Sequence, residues 1–233
     1  MKKEESLLVN KDVEVLLKEM TIEEKIGQMT QVTLDVVLKG EPYNPARPFV
    51  FDEEKLHRTL VDFKVGSILN VPTSEALTKE QWHYFISVIQ EKAIKETRLG
   101  IPILYGIDAV HGTNYTMGST LFPHQIGMAA TWNLELVEQG AAVTAYEVRA
   151  SGIPWTFAPV QDICRHQAWP RIYETFGEDP LLSAEMGKAT VKGFEGDDVN
   201  DPYKVASCLK HFAGYGMPLS GKDRTPALSL IHI

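Results

Sequence analysis

The sequence predicts an α/β protein built on a parallel sheet. Apolar segments of strand length alternate with helical patterns of about 15 residues, which is typical of repeated βαβ units. Three of the apolar segments stop abruptly on polar groups, at Asp108, at Gln161-Asp162 and at Lys210-His211. Because the carboxyl ends of parallel strands meet on one face of a sheet, these ends predict one polar pocket assembled from distant segments. The pattern favours an enzyme.

Helix start signals divide the chain into its elements. Thr21-Ile-Glu-Glu24 and Thr78-Lys-Glu-Gln81 each have the spacing of a capping box. Asn133 is a typical N-cap, and Asp179 followed by a proline marks a further helix start. The predicted helices are 11–20, a short one through Ile26 and Met29, one from about residue 79 that ends near Gly100, Leu134–Arg149, and one from Pro180 to about Phe194.

The apolar segments between these helices are predicted strands. Residues 33–55 contain Gly40 and several prolines and are predicted to be an irregular loop. About five strands are expected, and both an open doubly wound sheet and an incomplete (β/α)8 barrel fit that count. No glycine-rich phosphate-binding motif connects a strand to a helix. The predicted strands are 65–70, 101–107, 155–160 and 205–209, with 126–131 as a further short apolar segment.

Composition excludes several classes of partner. The 233 residues carry a formal net charge of −8 and no Lys/Arg cluster, so we expect no nucleic acid partner. The two cysteines, Cys164 and Cys208, exclude a disulfide framework and a four-cysteine zinc site. No stretch approaches the roughly 18 apolar residues of a membrane span, so we expect no membrane partner.

The sequence gives little information on the compartment or the oligomeric state. Met1-Lys-Lys is not followed by the apolar region of a signal peptide, so a cytoplasmic protein is the default expectation. A periplasmic or secreted parent protein is the open alternative. Nothing in the sequence predicts the oligomeric state.

The strand ends supply the candidate binding residues. The carboxylate of Asp108 is placed to accept hydrogen bonds from two adjacent hydroxyls of a polyol, or else to cap the next element. Lys210 and His211 together offer at least four donors, which match neighbouring sugar hydroxyls, a phosphate or a carboxylate. The alternative for Lys210 is an ion pair with a nearby carboxylate. His111 is expected to be a structural histidine.

The loop before Asp179 is the densest polar stretch of the chain. Arg171 and Glu174 are close enough in sequence to pair, and an arginine held in this way can present its remaining donors to a ligand. Trp169 and Tyr173 have two open interpretations, as aromatic walls of a sugar site or as packing residues.

Five motifs occur in one register along the chain. They are Met20-Thr-Ile-Glu-Glu-Lys-Ile-Gly-Gln28, Tyr105-Gly-Ile-Asp-Ala-Val-His-Gly112, Leu121-Phe-Pro-His-Gln-Ile-Gly-Met-Ala-Ala-Thr131, Pro170-Arg171 through Pro180, and Leu209-Lys-His-Phe212. In this order and spacing they resemble glycoside hydrolase family 3, over roughly residues 20–226. The chain is similar to the N-terminal catalytic barrel of a β-glucosidase or β-xylosidase of that family.

The resemblance implies a specific fold and site. The fold would be an incomplete (β/α)8 barrel, and the substrate a small β-glucoside or oligosaccharide, bound without a metal or organic cofactor. Asp108, Arg171, Lys210 and His211 match positions that hold the hydroxyls of the sugar in the −1 subsite. Family members retain anomeric configuration through a covalent intermediate, which requires two carboxyl groups about 5–5.5 Å apart.

The segment Lys210-His-Phe-Ala-Gly-Tyr215-Gly distinguishes two branches of this family. The branch that hydrolyses β-N-acetylglucosaminides usually has a proline where Ala213 stands and a histidine where Tyr215 stands. The residues present here therefore favour the glucosidase-like branch.

The resemblance also implies that the catalytic carboxylates are missing. The family nucleophile is an aspartate that usually follows a serine and precedes a tryptophan, and no Ser-Asp-Trp occurs in this sequence. The acid/base lies later still. We therefore expect residues 1–227 to be a partial catalytic domain that is inactive alone, and residues 228–233, which do not resemble the family, to be a non-native tail.

Two other hypotheses remain open at this point. In the first, the chain is a carbohydrate-binding domain that has lost catalysis. In the second, it is an unrelated α/β barrel enzyme for a phosphorylated or carboxylated ligand, and Lys210 and Arg171 would bind the anion.

Overall fold

The protein is an α/β fold with a partial parallel sheet. The computed structural model describes residues 13–41, 44, 48–71, 76–211 and 213–227. Within these residues the strand order is β1-β2-β3-β4. The strands are β1 (Gln31–Thr33), β2 (Ser67–Leu69), β3 (Leu104–Ile107) and β4 (Trp155–Thr156), and the α-helices are α1 (Val13–Glu19), α2 (Ile22–Gln28), α3 (Glu53–His57), α4 (Lys79–Glu96), α5 (Gln125–Ala129), α6 (Leu134–Ala150) and α7 (Pro180–Glu195).

Helix starts follow the predicted caps. Thr21 Oγ1 accepts from the Glu24 backbone N, and a Glu24 carboxylate oxygen accepts from Thr21 N at 2.8 Å, which completes a capping box. Asn133 Oδ1 accepts from Leu136 N at 3.1 Å at the start of α6. Asp179 caps α7, whose first residue is a proline. These caps are local in sequence, and the helix starts predicted at Thr21, Asn133 and Asp179 are confirmed. The helix start predicted at residue 11 lies outside the described residues.

The apolar segment 126–131 is largely helical, and the residue before it, Gln125, bonds to the backbone of Val160 in the way that a neighbouring strand would. Residues 125–129 form helix α5. The buried Gln125 amide donates from Nε2 to Val160 O at 2.8 Å and accepts from Val160 N at 2.9 Å. The backbone N–H and C=O of Val160, beyond the end of β4, are therefore both bonded to a side chain and not to a strand.

The predicted strand 205–209 is wrong as a continuous strand. Ala206 and Lys210 form isolated parallel bridges with Trp155 and Val160. Between them, Cys208 N donates to Ala158 O, but Val160 N, which would return a hydrogen bond to Cys208 O in a parallel ladder, donates to Gln125 Oε1 instead. Strand β1 has no counterpart among the predicted strands, because its residues directly follow the helical pattern of α2 and its last residue, Thr33, opens the predicted loop 33–55.

The first compact unit comprises residues 1–76 and 80–106. In its described part, β1, β2 and the start of β3 pair in parallel, with Val32 opposite Ile68 and Ile68 opposite Tyr105. The Tyr105 ring packs edge-on against Trp82 of α4, with 5.7 Å between ring centroids. Both aromatic rings are fully buried, so α4 is fixed by its apolar face.

The second compact unit comprises residues 77–79 and 107–233. In its described part, α6 and α7 pack closely at Gly193. A Cβ atom on Gly193 would lie 2.3 Å from Glu138 O and 2.6 Å from Ala141 Cβ of α6. Every helix among the described residues is too short or too polar to cross a membrane.

The close approach at Gly193 predicts a stability effect. Gly193→Ala should lower the free energy of unfolding of the full-length protein by about 1–3 kcal/mol, because the methyl group overlaps backbone atoms of α6. Urea unfolding measures the change. The matched control is Gly140→Ala in α6, where the new Cβ would meet only the Phe122 ring, at 3.4 Å. Equal effects of the two substitutions would contradict the packing argument.

Candidate functional site

All four residues predicted to bind the ligand lie in the second unit, where they form two contacting pairs. Lys210 Nζ forms an ion pair with Asp108 Oδ1, and Arg171 Nη2 lies 3.4 Å from His211 Nε2. Asp108 directly follows β3, and Lys210 and His211 follow the bridge segment 206–210. The strand-end argument thus correctly predicted that Asp108 and Lys210 come together, whereas Arg171 belongs to the polar loop before Asp179.

The Asp108–Lys210 pair is partly buried. The two side chains are 32% and 16% exposed, and 102 positions separate them in the chain. This contact corresponds to the alternative interpretation of Lys210 as the partner of a carboxylate. An ammonium group has three donors, so pairing with Asp108 leaves Lys210 with capacity for a ligand.

Arg171 is held along one edge by Glu174, as predicted. Arg171 Nε donates to Glu174 Oε1 at 2.8 Å, and Nη2 donates to Oε2 at 2.6 Å. Burial raises the pKa of Glu174, but the hydrogen bonds and the charge of Arg171 outweigh it, so that pKa lies below its usual range. A bidentate pair of this kind fixes the plane of the guanidinium group.

His211 is oriented by Asp162, whose role the sequence analysis missed. Asp162 Oδ2 accepts from the backbone N of His211 at 3.1 Å and lies 2.7 Å from Nδ1 of the same residue. The Asp162 side chain is only 1% exposed. A carboxylate on Nδ1 sets the tautomer and the ring orientation, and Nε2 then faces Arg171. The available signal was the position of Asp162, directly after a predicted strand.

Tyr215 packs against both Arg171 and His211. Its hydroxyl accepts from Arg171 Nη1 at 3.0 Å, and its ring centroid lies 4.5 Å from that of His211. The buried Trp169 meets Tyr215 edge-on and donates from Nε1 to Asp223 Oδ1 at 3.0 Å. Trp169 is therefore a packing residue, and Asp223 is a further residue that the sequence analysis missed.

A second aromatic group lies beside Glu174. His111 Nδ1 lies 3.0 Å from Phe122 O, as expected for a structural histidine. The His111 and His124 ring centroids are 4.0 Å apart, and His124 is 4.7 Å from Tyr173. Burial and the neighbouring His111 lower the pKa of His124. Tyr173 is 45% exposed, so its ring is available at the surface.

A cavity of about 300 Å³ lies between the segment that contains Asp162 and the segment that contains Lys210 and His211. Among the described residues, no group of three or more histidine, cysteine or acidic side chains has an arrangement that could hold a metal ion. The cavity is lined by Gln161, Asp162, Ile163, Leu209, Lys210, His211, Ala213, Gly214, Gly216 and Met217.

Tyr115 provides a test of the electrostatics around Asp108. Burial, together with the charge of Asp108, raises the pKa of Tyr115 from 10.0 to about 12. The neutral phenol is the form that the fold favours, so its contribution to stability is complete below pH 10 and is lost as the pH rises toward 12. Over this pH range the native state holds about one proton more than the unfolded chain, at Tyr115, so the free energy of unfolding falls as the pH rises. Tyr115→Phe removes this proton difference and should make the fall shallower by the slope that one proton contributes.

The measurement is urea unfolding between pH 9 and 12, with ultraviolet difference titration of wild type against Tyr115→Phe. Asp108→Asn should lower the pKa of Tyr115, because it removes the neighbouring negative charge. Tyr203→Phe, at an exposed tyrosine, is the matched control. An unchanged pH dependence in Tyr115→Phe would contradict the assignment.

Sequence and structure comparisons identify relatives of this chain. The family described as "Glycosyl hydrolase family 3 N terminal domain" matches residues 21–228. The lysosomal beta glucosidase of Dictyostelium discoideum is 42% identical over 228 residues, which cover 92% of this chain and 27% of that protein. The periplasmic beta-glucosidase of Salmonella typhimurium is 34% identical over 208 residues, or 89% of this chain and 24% of that protein.

A solved structure agrees with these matches. A mutant β-glucosidase from Listeria innocua in complex with laminaribiose superposes with a TM-score of 0.74 at 31% identity, over 94% of this chain and 29% of that chain. This likeness confirms the incomplete-barrel expectation over the doubly wound alternative. The chain spans about a quarter of the length of the relatives it matches. With a family match over most of its length, the chain belongs to glycoside hydrolase family 3.

Proposed function

We propose that this chain is the sugar-binding part of a β-glucosidase that hydrolyses terminal non-reducing β-D-glucosidic bonds with retention. The observation that carries the proposal is the charge balance of the site. Each cationic or potentially cationic group has its own carboxylate: Lys210 has Asp108, Arg171 has Glu174 and His211 has Asp162. A site balanced in this way suits a neutral ligand with many hydroxyl groups.

The same balance argues against the anion-binding alternative. A phosphate or carboxylate ligand would need unneutralised positive charge, and here it would meet three carboxylates beside the three donors. A sugar hydroxyl both donates and accepts, so neighbouring carboxylates and cations can each serve it. The complex of the Listeria innocua relative with laminaribiose supports a neutral saccharide as the ligand.

We assign the four residues to the sugar that carries the scissile bond. Asp108 accepts hydrogen bonds from hydroxyls of this sugar, and Lys210 donates from the ammonium hydrogens that do not face Asp108. Arg171 donates from the opposite side of the group, where His211 Nε2 is an acceptor because the Nδ1–H of the same ring is held by Asp162. Together they orient the ring before the reaction, which is the positioning contribution to catalysis.

The reaction itself requires two further carboxyl groups. A retaining glycosidase uses a nucleophile and an acid/base about 5–5.5 Å apart, and the three site carboxylates are already engaged in holding cations. No Ser-Asp-Trp occurs in the 233 residues. We propose that parts of the full-length polypeptide outside this sequence supply both groups, and that residues 1–233 alone bind sugar weakly and catalyse nothing.

The role of Asp108 leads to a direct prediction. In the full-length protein, Asp108→Ala should lower kcat/KM for an aryl β-glucoside by about 10- to 100-fold, since it removes charged hydrogen bonds to the sugar and leaves Lys210 without its partner. Asp197→Ala, at an exposed aspartate in the turn after α7, is the matched control and should change it less than twofold. A loss below threefold in a folded Asp108→Ala protein would remove Asp108 from the sugar site.

The origin of the catalytic carboxylates is tested at the DNA level. Reading the coding frame beyond codon 227 should show a continuation that encodes further strands and a Ser-Asp strand end. Its expression product should hydrolyse an aryl β-glucoside, and residues 1–233 expressed alone should not. A stop codon directly after Ile233 would contradict the catalytic proposal and would favour a carbohydrate-binding domain without turnover.

A further inference from the structure

Tyr215 stands between two glycines that fix its backbone. Gly214 has a φ of +85°, a backbone conformation that L side chains rarely adopt. A Cβ atom on Gly216 would lie 2.7 Å from Ile163 O and 3.3 Å from Asp162 Cβ, so there is no room for a side chain at this position. The backbone on both sides of Tyr215 is therefore constrained, and Gly216 lies directly against the segment that contains Asp162.

The Tyr215 ring packs against three side chains around the site. Its centroid lies 5.5 Å from that of Trp169, which meets it edge-on and is only 1% exposed, and 4.5 Å from that of His211. The guanidinium carbon of Arg171 lies 5.3 Å from the same tyrosine centroid. A tyrosine side chain has only two side-chain torsions, so these contacts also fix the position of the phenol oxygen.

The phenol oxygen accepts a hydrogen bond from Arg171. The distance from Arg171 Nη1 to the Tyr215 hydroxyl oxygen is 3.0 Å. Glu174 accepts from Nε and from one Nη2 hydrogen, and Nη2 also lies 3.4 Å from His211 Nε2. The guanidinium group of an arginine carries five N–H groups. These contacts account for four of them, and the fifth is the second Nη1 hydrogen.

Tyr215 and Glu174 hold different parts of the guanidinium group. Glu174 contacts the edge formed by Nε and Nη2, and its two hydrogen bonds fix the plane in which the guanidinium hydrogens lie. The Tyr215 hydroxyl contacts Nη1, the nitrogen that carries the remaining hydrogen. Because a hydrogen bond from a charged donor is stronger than a neutral one, this contact keeps Nη1 in place and gives its second hydrogen one direction.

We propose that Tyr215 is a positioning residue whose hydroxyl holds Arg171 Nη1, so that the second hydrogen of this nitrogen is directed at one hydroxyl of the bound sugar. This inference rests on the proposed function. The Tyr215 ring has a second effect, since it packs against both Arg171 and His211. The hydroxyl and the ring of Tyr215 therefore have effects that substitutions can separate.

The test uses the full-length enzyme and a set of β-glucosides that each lack one hydroxyl. Tyr215→Phe removes the hydroxyl and keeps the ring, and it should lower kcat/KM for the intact glucoside by about tenfold, as expected for a small misplacement of a binding group. Tyr215→Leu also removes the ring and should lower kcat/KM further. Tyr203→Phe, at an exposed tyrosine, is the matched control and should change kcat/KM less than twofold.

The deoxy substrates separate positioning from general destabilisation. Arg171→Lys replaces the planar guanidinium group with a single ammonium group, so the discrimination that it loses identifies the hydroxyl bound by Arg171. Tyr215→Phe should lose discrimination at that same hydroxyl and keep it at the others. Tyr215→Leu should weaken discrimination at more than one hydroxyl, because it also removes the ring that packs against His211.

A double variant tests whether the hydroxyl acts through Arg171. Tyr215→Phe in the Arg171→Lys background should cause no further loss of kcat/KM, because the nitrogen that the hydroxyl holds is already absent. Additive losses in the double variant would overturn the inference.

Two other results would also overturn it. A kcat/KM within twofold of wild type in Tyr215→Phe would show that Glu174 alone positions Arg171. A loss of equal size on the intact glucoside and on every deoxy substrate would indicate a structural role of the hydroxyl. Failure of the proposed function is distinguishable from these results, because it would appear in the wild-type enzyme as the absence of β-glycoside turnover.

Discussion

The site depends on the pairing of each potentially cationic side chain with a carboxylate. Lysine and arginine side chains with limited exposure are stable only if the cost of removing them from water is offset by a partner. Lys210 and His211 have partners 102 and 49 positions earlier in the chain. These pairs form only when the segments of the second unit that carry Asp108, Asp162 and Lys210-His211 lie side by side. Folding of the second unit and formation of this paired cluster are therefore one event.

The predictable features are those that depend on short sequence distances or on strand direction. The capping box at Thr21 and the N-cap at Asp179 use neighbours within three residues, so spacing alone reveals them. The pair between Arg171 and Glu174 is also local. Asp108 and Lys210 are distant in sequence, but parallel strands bring their carboxyl ends together whatever the lengths of the connections.

The features that were missed depend on which side chains meet after folding. The Gln125 amide forms two hydrogen bonds with the Val160 backbone that a neighbouring strand would otherwise form. The apolar sequence after Gln125 does not predict this substitution of a side chain for a strand. Asp162 and Tyr215 contact the predicted residues His211 and Arg171 directly, and Asp223 accepts from the indole of Trp169. Their roles follow from loop geometry after the strand ends, and sequence spacing does not determine this geometry.

The charge balance of the site has a consequence for how a ligand arrives. A neutral saccharide feels no long-range attraction toward paired charges, so its encounter with the site is governed by diffusion and concentration, with little dependence on ionic strength. The formal net charge of −8 on the chain is likewise of little importance for such a ligand, whereas it disfavours the approach of anions. Paired charges that offer hydrogen bonds at short range thus also disfavour anionic ligands at long range.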